Sequence, residues 1–124
     1  IMPILSIENF KIDYTKDGVG QTIILIHGSM SNNQQWRSLI NSLRDRYHVL
    51  AINLFGYGQT PSWTGNSNQT LYDQAKLVIE FCYEYRYPIS IVGHSFGGSV
   101  GIKLATILRD KVLSVLLHSK TPFN

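Results

Sequence analysis

At 124 residues and 14.1 kDa the chain is one domain at most, or part of a larger one. It is 44% apolar and 15% charged, enough to bury a core and unlike a disordered segment. The net charge of +3 comes from scattered Lys and Arg without a basic run, which speaks against a nucleic-acid surface.

A single cysteine, Cys82, rules out an internal disulfide, so the fold rests on packing, as suits a reducing compartment. The opening "IMPILSIENFKIDY" lacks a basic segment followed by a long apolar core and alternates like a strand. No apolar stretch approaches the ~18 residues of a membrane span. These features predict a soluble, cytoplasmic protein with no membrane or nucleic-acid partner.

Along the chain, residues 4–14 alternate and then turn at "KDGVGQ", which predicts an antiparallel pair at a sheet edge. The β-branched run "TIILI" (22–26) is apolar on both faces, and so are "HVLAI" (48–52), "ISIV" (89–92) and "VLSVLL" (112–117). Such strands belong to a parallel sheet covered by helices on both sides. Between them, Trp36, Leu39, Ile40 and Leu43 recur at i, i+3, i+4 and i+7 and predict a first helix. Leu71, Ala75, Val78, Ile79 and Cys82 predict a second, opened by the capping-box-like Thr70-Leu71-Tyr72-Asp73. A third spans about 95–108, with Gly97, Gly98 and Gly101 early in it; glycines are poor helix formers, so close approach to a neighbouring strand is expected there. "GYGQTPSWTGNSNQ" (56–69) reads as a long polar loop, and Tyr72, Tyr83, Tyr85 and Tyr87 as core and rim. The order ββ followed by β-α-β-α-β-α-β predicts an α/β fold: a mostly parallel, doubly wound sheet with an N-terminal antiparallel hairpin.

In such a sheet, sites gather at the carboxyl ends of the strands. Gly93-His94-Ser95-Phe96-Gly97 is a G-x-S-x-G pentapeptide where strand 89–92 hands over to the third helix, the strand–turn–helix context of a nucleophile elbow. The tight turn needs small Gly93 and Gly97 beside the serine and lifts its hydroxyl to a helix N-terminus, where developing negative charge is favoured. "ILIHGSM" (24–30) places His27-Gly28 at the end of another buried strand. Acyl transfer needs two backbone N–H donors on the oxyanion. Phe96 N–H is the first candidate, and Ser29 N–H, in preference to Met30, the second. Met30 and Phe96 are also candidates for an acyl pocket.

Taken in order, "ILIHGSM", Trp36, "AINLFGYGQTP" and "IVGHSFGG" resemble the α/β-hydrolase fold in its single-domain esterase, lipase and haloperoxidase-like branch, over nearly the whole chain. The resemblance implies a serine hydrolase of small-molecule ester, thioester or related acyl bonds, without cofactor. It implies that Gly56 and Gly58 shape the loop after strand 48–52 and that Trp36 supports the oxyanion loop. Asn53 stands where many relatives carry Asp, which is expected to change loop hydrogen bonding more than chemistry.

A serine nucleophile needs a histidine base and an acid, in this fold following it in the order acid, then histidine. After Ser95 the chain holds one acid, Asp110, and one histidine, His118. A helix rising 1.5 Å per residue puts Asp110 roughly 20 Å from the serine, which excludes it. His118 follows the strand beside the nucleophile strand, on the active edge, without an acid partner and is expected to be a pocket-wall or loop histidine. His27 belongs to the oxyanion loop, His94 points away from the serine, and His48 lies at the far end of the sheet. No histidine spacing or acid cluster suggests a metal, and no G-x-G-x-x-G or G-K-[ST] suggests a nucleotide. The expectation is therefore the N-terminal half of a hydrolase domain covering 1–124, near-inactive by itself, with lid, acid and base beyond it. It ends on an exposed apolar strand able to drive self-association. The alternative is an interaction protein that pairs this open edge with a partner.

Overall fold

A computed structural model describes residues 4–7, 10–63, 68–82, 85 and 87–118. Six strands, β1 (Ile4–Ile7), β2 (Phe10–Asp17), β3 (Gln21–Ile26), β4 (Tyr47–Ile52), β5 (Ile89–His94) and β6 (Val112–His118), form one sheet in the order β1-β2-β4-β3-β5-β6. β1 and β2 are antiparallel, as are β2 and β4, whereas β4, β3, β5 and β6 run parallel. The α/β architecture is that expected from the sequence. Tyr83 and everything after His118 lie outside the described residues.

The period-2 geometry of strands explains the two cores. Ile24 and Ile26 point to one face, where they meet α2 (Leu71–Cys82) and α3 (Phe96–Leu108); Ile23 and Leu25 point to the other, where Trp36 and Ile40 cover them. Both faces of β3 are buried, and burial of each such side chain contributes about 1.5–3 kcal/mol. The second helix is capped as its sequence predicts: Thr70 Oγ accepts from Asp73 N–H at 3.2 Å, and Thr70 N–H donates to Asp73 Oδ2 at 2.7 Å. Its inward face also includes Leu77 and Phe81, whereas Ile79 is only half-buried.

One expectation needs correction. The turn at "KDGVGQ" does not close the antiparallel pair: that pair is β1–β2, joined between Ile7 and Phe10. β2 instead pairs with β4, and β3 lies on the far side of β4. Gly18 and Gly20, at φ +76° and +133°, let the chain pass tightly under Arg44, Arg46 and Tyr47, where a side chain would strike backbone carbonyls. The first helix carries Leu39, Ile40 and Leu43 as predicted, with Trp36 at its N-cap, and a further turn precedes it. Asn33–Trp36 form a 3₁₀ turn, begun by Asn32 accepting from Gln34 N–H at 2.8 Å, and α1 (Arg37–Leu43) follows.

From β3 the chain crosses to β4 on one side and returns through α2 to β5 on the other. The general rule for open α/β sheets puts the ligand crevice at such a switch point. Here that point is at the carboxyl ends of β3 and β5, with the segments at 27–32 and 94–96.

Candidate functional site

Ser95 sits alone between the last residue of β5 and the first of α3, with φ +51° and ψ −114°. That conformation costs an L-residue on the order of 1–3 kcal/mol and persists only where the surroundings enforce it. Here they do. Ser95 N–H donates to His118 O at 2.8 Å, and Ser95 O accepts from Gly98 N–H at 2.9 Å. A Cβ on Gly93 would lie 2.5 Å from Gly97 O and 2.6 Å from Gly98 Cα; one on Gly97 would strike the carbonyls of Ile26 and His27. Only glycine lets α3 start this close to β3 and β5. Ser95 is exposed at the positive end of α3, and Phe96 N–H, the first of the helix, has no intrahelical acceptor.

The loop after β3 is held by a buried histidine. Leu54 N–H donates to His27 Nε2 at 3.0 Å, so Nε2 is bare and the proton is on Nδ1, which donates to Gly28 O at 2.8 Å. In a trans peptide the N–H opposes the C=O, so fixing Gly28 O also fixes the direction of Ser29 N–H. Burial holds the His27 imidazole below its usual range, in keeping with a neutral ring. The ring of Tyr57 packs edge-on against it at 4.5 Å. Ser29 and Met30 are exposed; Met30, at φ +63°, projects into solvent with 97% of its surface free.

His94 leans on the other side of this loop. Its Nδ1 lies 2.6 Å from where a Gly28 Cβ would be, and 3.1 Å from Gln35 Nε2, while Gln35 Oε1 accepts from Gly28 N–H at 2.9 Å. His94 and His118 are register partners on β5 and β6, with ring centroids 5.2 Å apart. Ser29 thus lies on the segment after β3, and Ser95 and Phe96 on the segment after its neighbour β5, the two segments meeting where Gly28 faces His94 and Gly97 faces His27.

Behind the crevice lies a buried polar network. Asp13 Oδ2 accepts from Asn53 Nδ2 at 3.0 Å and Gln59 N–H at 2.6 Å, and Asn53 Oδ1 accepts from Asn33 N–H at 2.8 Å. Thr60 Oγ accepts from Asp13 N–H and donates to Asn53 O, and Gln74 Oε1 accepts from Phe55 N–H at 3.1 Å. Asn53 therefore ties the loop after β3 to the loop after β4 and serves Asp13 as a neutral donor. Gly58, at φ +55°, packs where any side chain would strike Asn53 and Asp13. Trp36 is buried against Ile40 and β3.

Asp110 and His48 are not brought to the crevice. Asp110 lies in a 3₁₀ turn before β6, and the length of that strand, about 3.3 Å per residue, separates it from His118. His48 sits near the start of β4, 3.4 Å from Thr22 Oγ, with its imidazole pushed down by burial and then by Lys16. Among the described residues there is no His, Cys, Asp and Glu cluster fit for a metal, and no helix long and apolar enough to cross a membrane. Three residues the sequence reading did not single out, Asp13, Gln35 and Gln74, hold the loops. Asn53 in place of an acid was a signal for Asp13; Gln35 and Gln74 had none.

The sequence pattern of the alpha/beta hydrolase family matches residues 23–123. The chain is 34% identical over 120 residues to a protein of Cupriavidus necator named as the dihydrolipoyllysine-residue acetyltransferase component of an acetoin cleaving system, covering 94% of this chain and 31% of that one. An epoxide hydrolase from Vigna radiata superposes with a TM-score of 0.89 at 22% identity, over 100% of this chain and 42% of that one. The crystal structure of a bacterial membrane phospholipase A superposes with 0.86 at 28% identity, over 94% and 38%. The chain thus spans between about a third and two fifths of the length of these proteins.

Proposed function

Because the chain belongs to the alpha/beta hydrolase family, we propose that it is the N-terminal part of one serine hydrolase domain and that Ser95 is its nucleophile. The observation that carries this reading is the strained, glycine-packed turn that presents Ser95 at the start of α3 beside the Ser29 loop. In this mechanism Ser95 Oγ attacks a substrate carbonyl, and the resulting oxyanion is held by Phe96 N–H and Ser29 N–H. His27 aims the second donor, and His94 and Gly28 set its distance from the elbow.

Relatives bear names from several chemistries, and the side chain at the elbow chooses among them. A serine that attacks a carbonyl leaves an ester, which water can attack in turn. A serine that opened an epoxide or displaced a halide at a saturated carbon would leave an ether, with no carbonyl for water to attack and no second half-reaction. The substrate class is therefore a small-molecule ester, thioester or related acyl compound.

Asp110 and His118 do not complete the triad, since they stand at opposite ends of β6; we place acid and base in the further length that the relatives possess. Without them, the oxyanion hole and binding alone sustain ~10³–10⁴ over water. The test is a panel of p-nitrophenyl acetate and butyrate, styrene oxide and 1-bromobutane. On the full-length protein, which carries acid and base in this reading, turnover of the esters alone is expected, lowered by Ser95→Ala to that residual level; ester hydrolysis undiminished in Ser95→Ala overturns the assignment. One observation favours a second reading, an interaction protein. β6 is an edge strand with Leu113 and Leu116 60% and 65% exposed. That reading predicts a stable oligomer and no Ser95-dependent hydrolysis.

A further inference from the structure

We infer that Gln35 is a positioning residue, a clamp that sets the distance between the two loops carrying the oxyanion donors; this rests on the hydrolase reading of the crevice. The hydrogen-bond logic leaves one arrangement. Gly28 N–H can only donate, so the atom facing it is Gln35 Oε1, at 2.9 Å. That turns Gln35 Nε2 toward His94 Nδ1, at 3.1 Å. An amide nitrogen has no lone pair to offer, so His94 Nδ1 accepts and its proton is on Nε2. His94 and His27 are thus opposite tautomers, each dictated by the loop between them.

The consequence is geometric. Gly28 N–H is held by Gln35 and Gly28 O by His27 Nδ1, so both peptide planes flanking Gly28 are pinned. Ser29 N–H belongs to the second plane. The same Gln35 side chain reaches His94, the residue before Ser95, so one amide spans from the β3 loop to the β5 turn. Gln35 itself is placed by the 3₁₀ turn, where its N–H donates to Asn32 O at 3.2 Å. It is exposed on its outer side, so its substitution does not empty a core.

The experiment uses Gln35→Ala and Gln35→Glu with two readouts. Glutamate keeps an oxygen for Gly28 N–H but sets a second acceptor against His94 Nδ1, so Nδ1 must carry a proton, as the other tautomer or as the imidazolium. Nitrogen NMR of labelled histidine reads that protonation directly, and the Gly28 amide shift reads the other bond. The second readout is the rate of covalent labelling of Ser95 by a fluorophosphonate in the full-length protein, where the proposed base activates the serine. Expected are an Nε2-protonated His94 with bare Nδ1 in the native protein, a protonated Nδ1 in Gln35→Glu, a displaced Gly28 amide in Gln35→Ala, and labelling slowed about tenfold in Gln35→Ala, less than the ~10²–10³ lost when a donor is removed. Unmoved Gly28 and His94 signals overturn the clamp. Moved signals with undiminished labelling overturn its positioning role. Absence of labelling in the native protein overturns the hydrolase reading and the positioning role with it, while the NMR still decides whether the clamp exists.

Discussion

Gly97 and Gly98 are neighbours in the first turn of α3, and alanine at the two positions should act in opposite directions. A Cβ at Gly97 would fall well inside 3.0 Å of the Ile26 and His27 carbonyls, closer than real Cβ atoms come, and both are fixed strand backbone. The start of α3 must retreat from β3 by about 1 Å, a misplacement that costs catalysis on the order of 10²-fold. Overpacking of this kind destabilises by about 1–3 kcal/mol. At Gly98 the same methyl meets Gly93 O and Leu117 Cδ2 at 3.4 Å, ordinary contact distance, so the alanine gains the roughly 0.5–1 kcal/mol that separates it from glycine in a helix. With a urea m-value of about 1.5 kcal/mol/M, the Gly97→Ala midpoint falls by ~1–2 M and the Gly98→Ala midpoint rises by ~0.5 M. Equilibrium urea unfolding followed by Trp fluorescence measures both. Midpoints that move the same way would refute the claim that close approach of α3 to β3 is what requires glycine in the pentapeptide.

Two further outcomes follow from the groups behind the crevice. His27 is held neutral by burial, with its folded imidazole below the ordinary 6.5. The unfolded chain therefore binds the proton first, and stability is complete above 6.5 and falls as pH drops from there toward the folded value. Its slope is at most about 1.4 kcal/mol per pH unit. His48 contributes with the same sign, so His27→Asn should remove part of the slope in urea titrations between pH 7 and 5; an unchanged slope contradicts the buried, neutral ring. Asn53→Asp would set a carboxylate 3.0 Å from that of Asp13, costing about 3 kcal/mol at pH 7. Repulsion raises the folded pair's proton affinity, so the loss should shrink on acidification toward pH 5, and an equal loss at both values refutes the Asp13–Asn53 contact.

Much of this arrangement is legible in the sequence because it is local. Runs such as "TIILI" can be buried on both faces only inside a covered sheet, and Gly93 and Gly97 announce the crowding that the structure shows against Ile26, His27 and Gly98. What escaped depends on contacts distant along the chain. Nothing near "KDGVGQ" says that β4, some thirty residues on, will slip in beside β2. Asp13 looks like any acid of an alternating strand until Asn53 and Gln59 arrive on the loop that follows the neighbouring strand β4. Gln35 lies just before the stretch whose apolar period suggests helix, and only the capped 3₁₀ turn aims it at Gly28 and His94.

The most direct test of the central claim is to treat the full-length protein with a fluorophosphonate, digest it, and locate the adduct by mass spectrometry. The account predicts one adduct, on the Oγ of Ser95, absent from Ser95→Ala. An adduct on another residue, or none on Ser95, would contradict it.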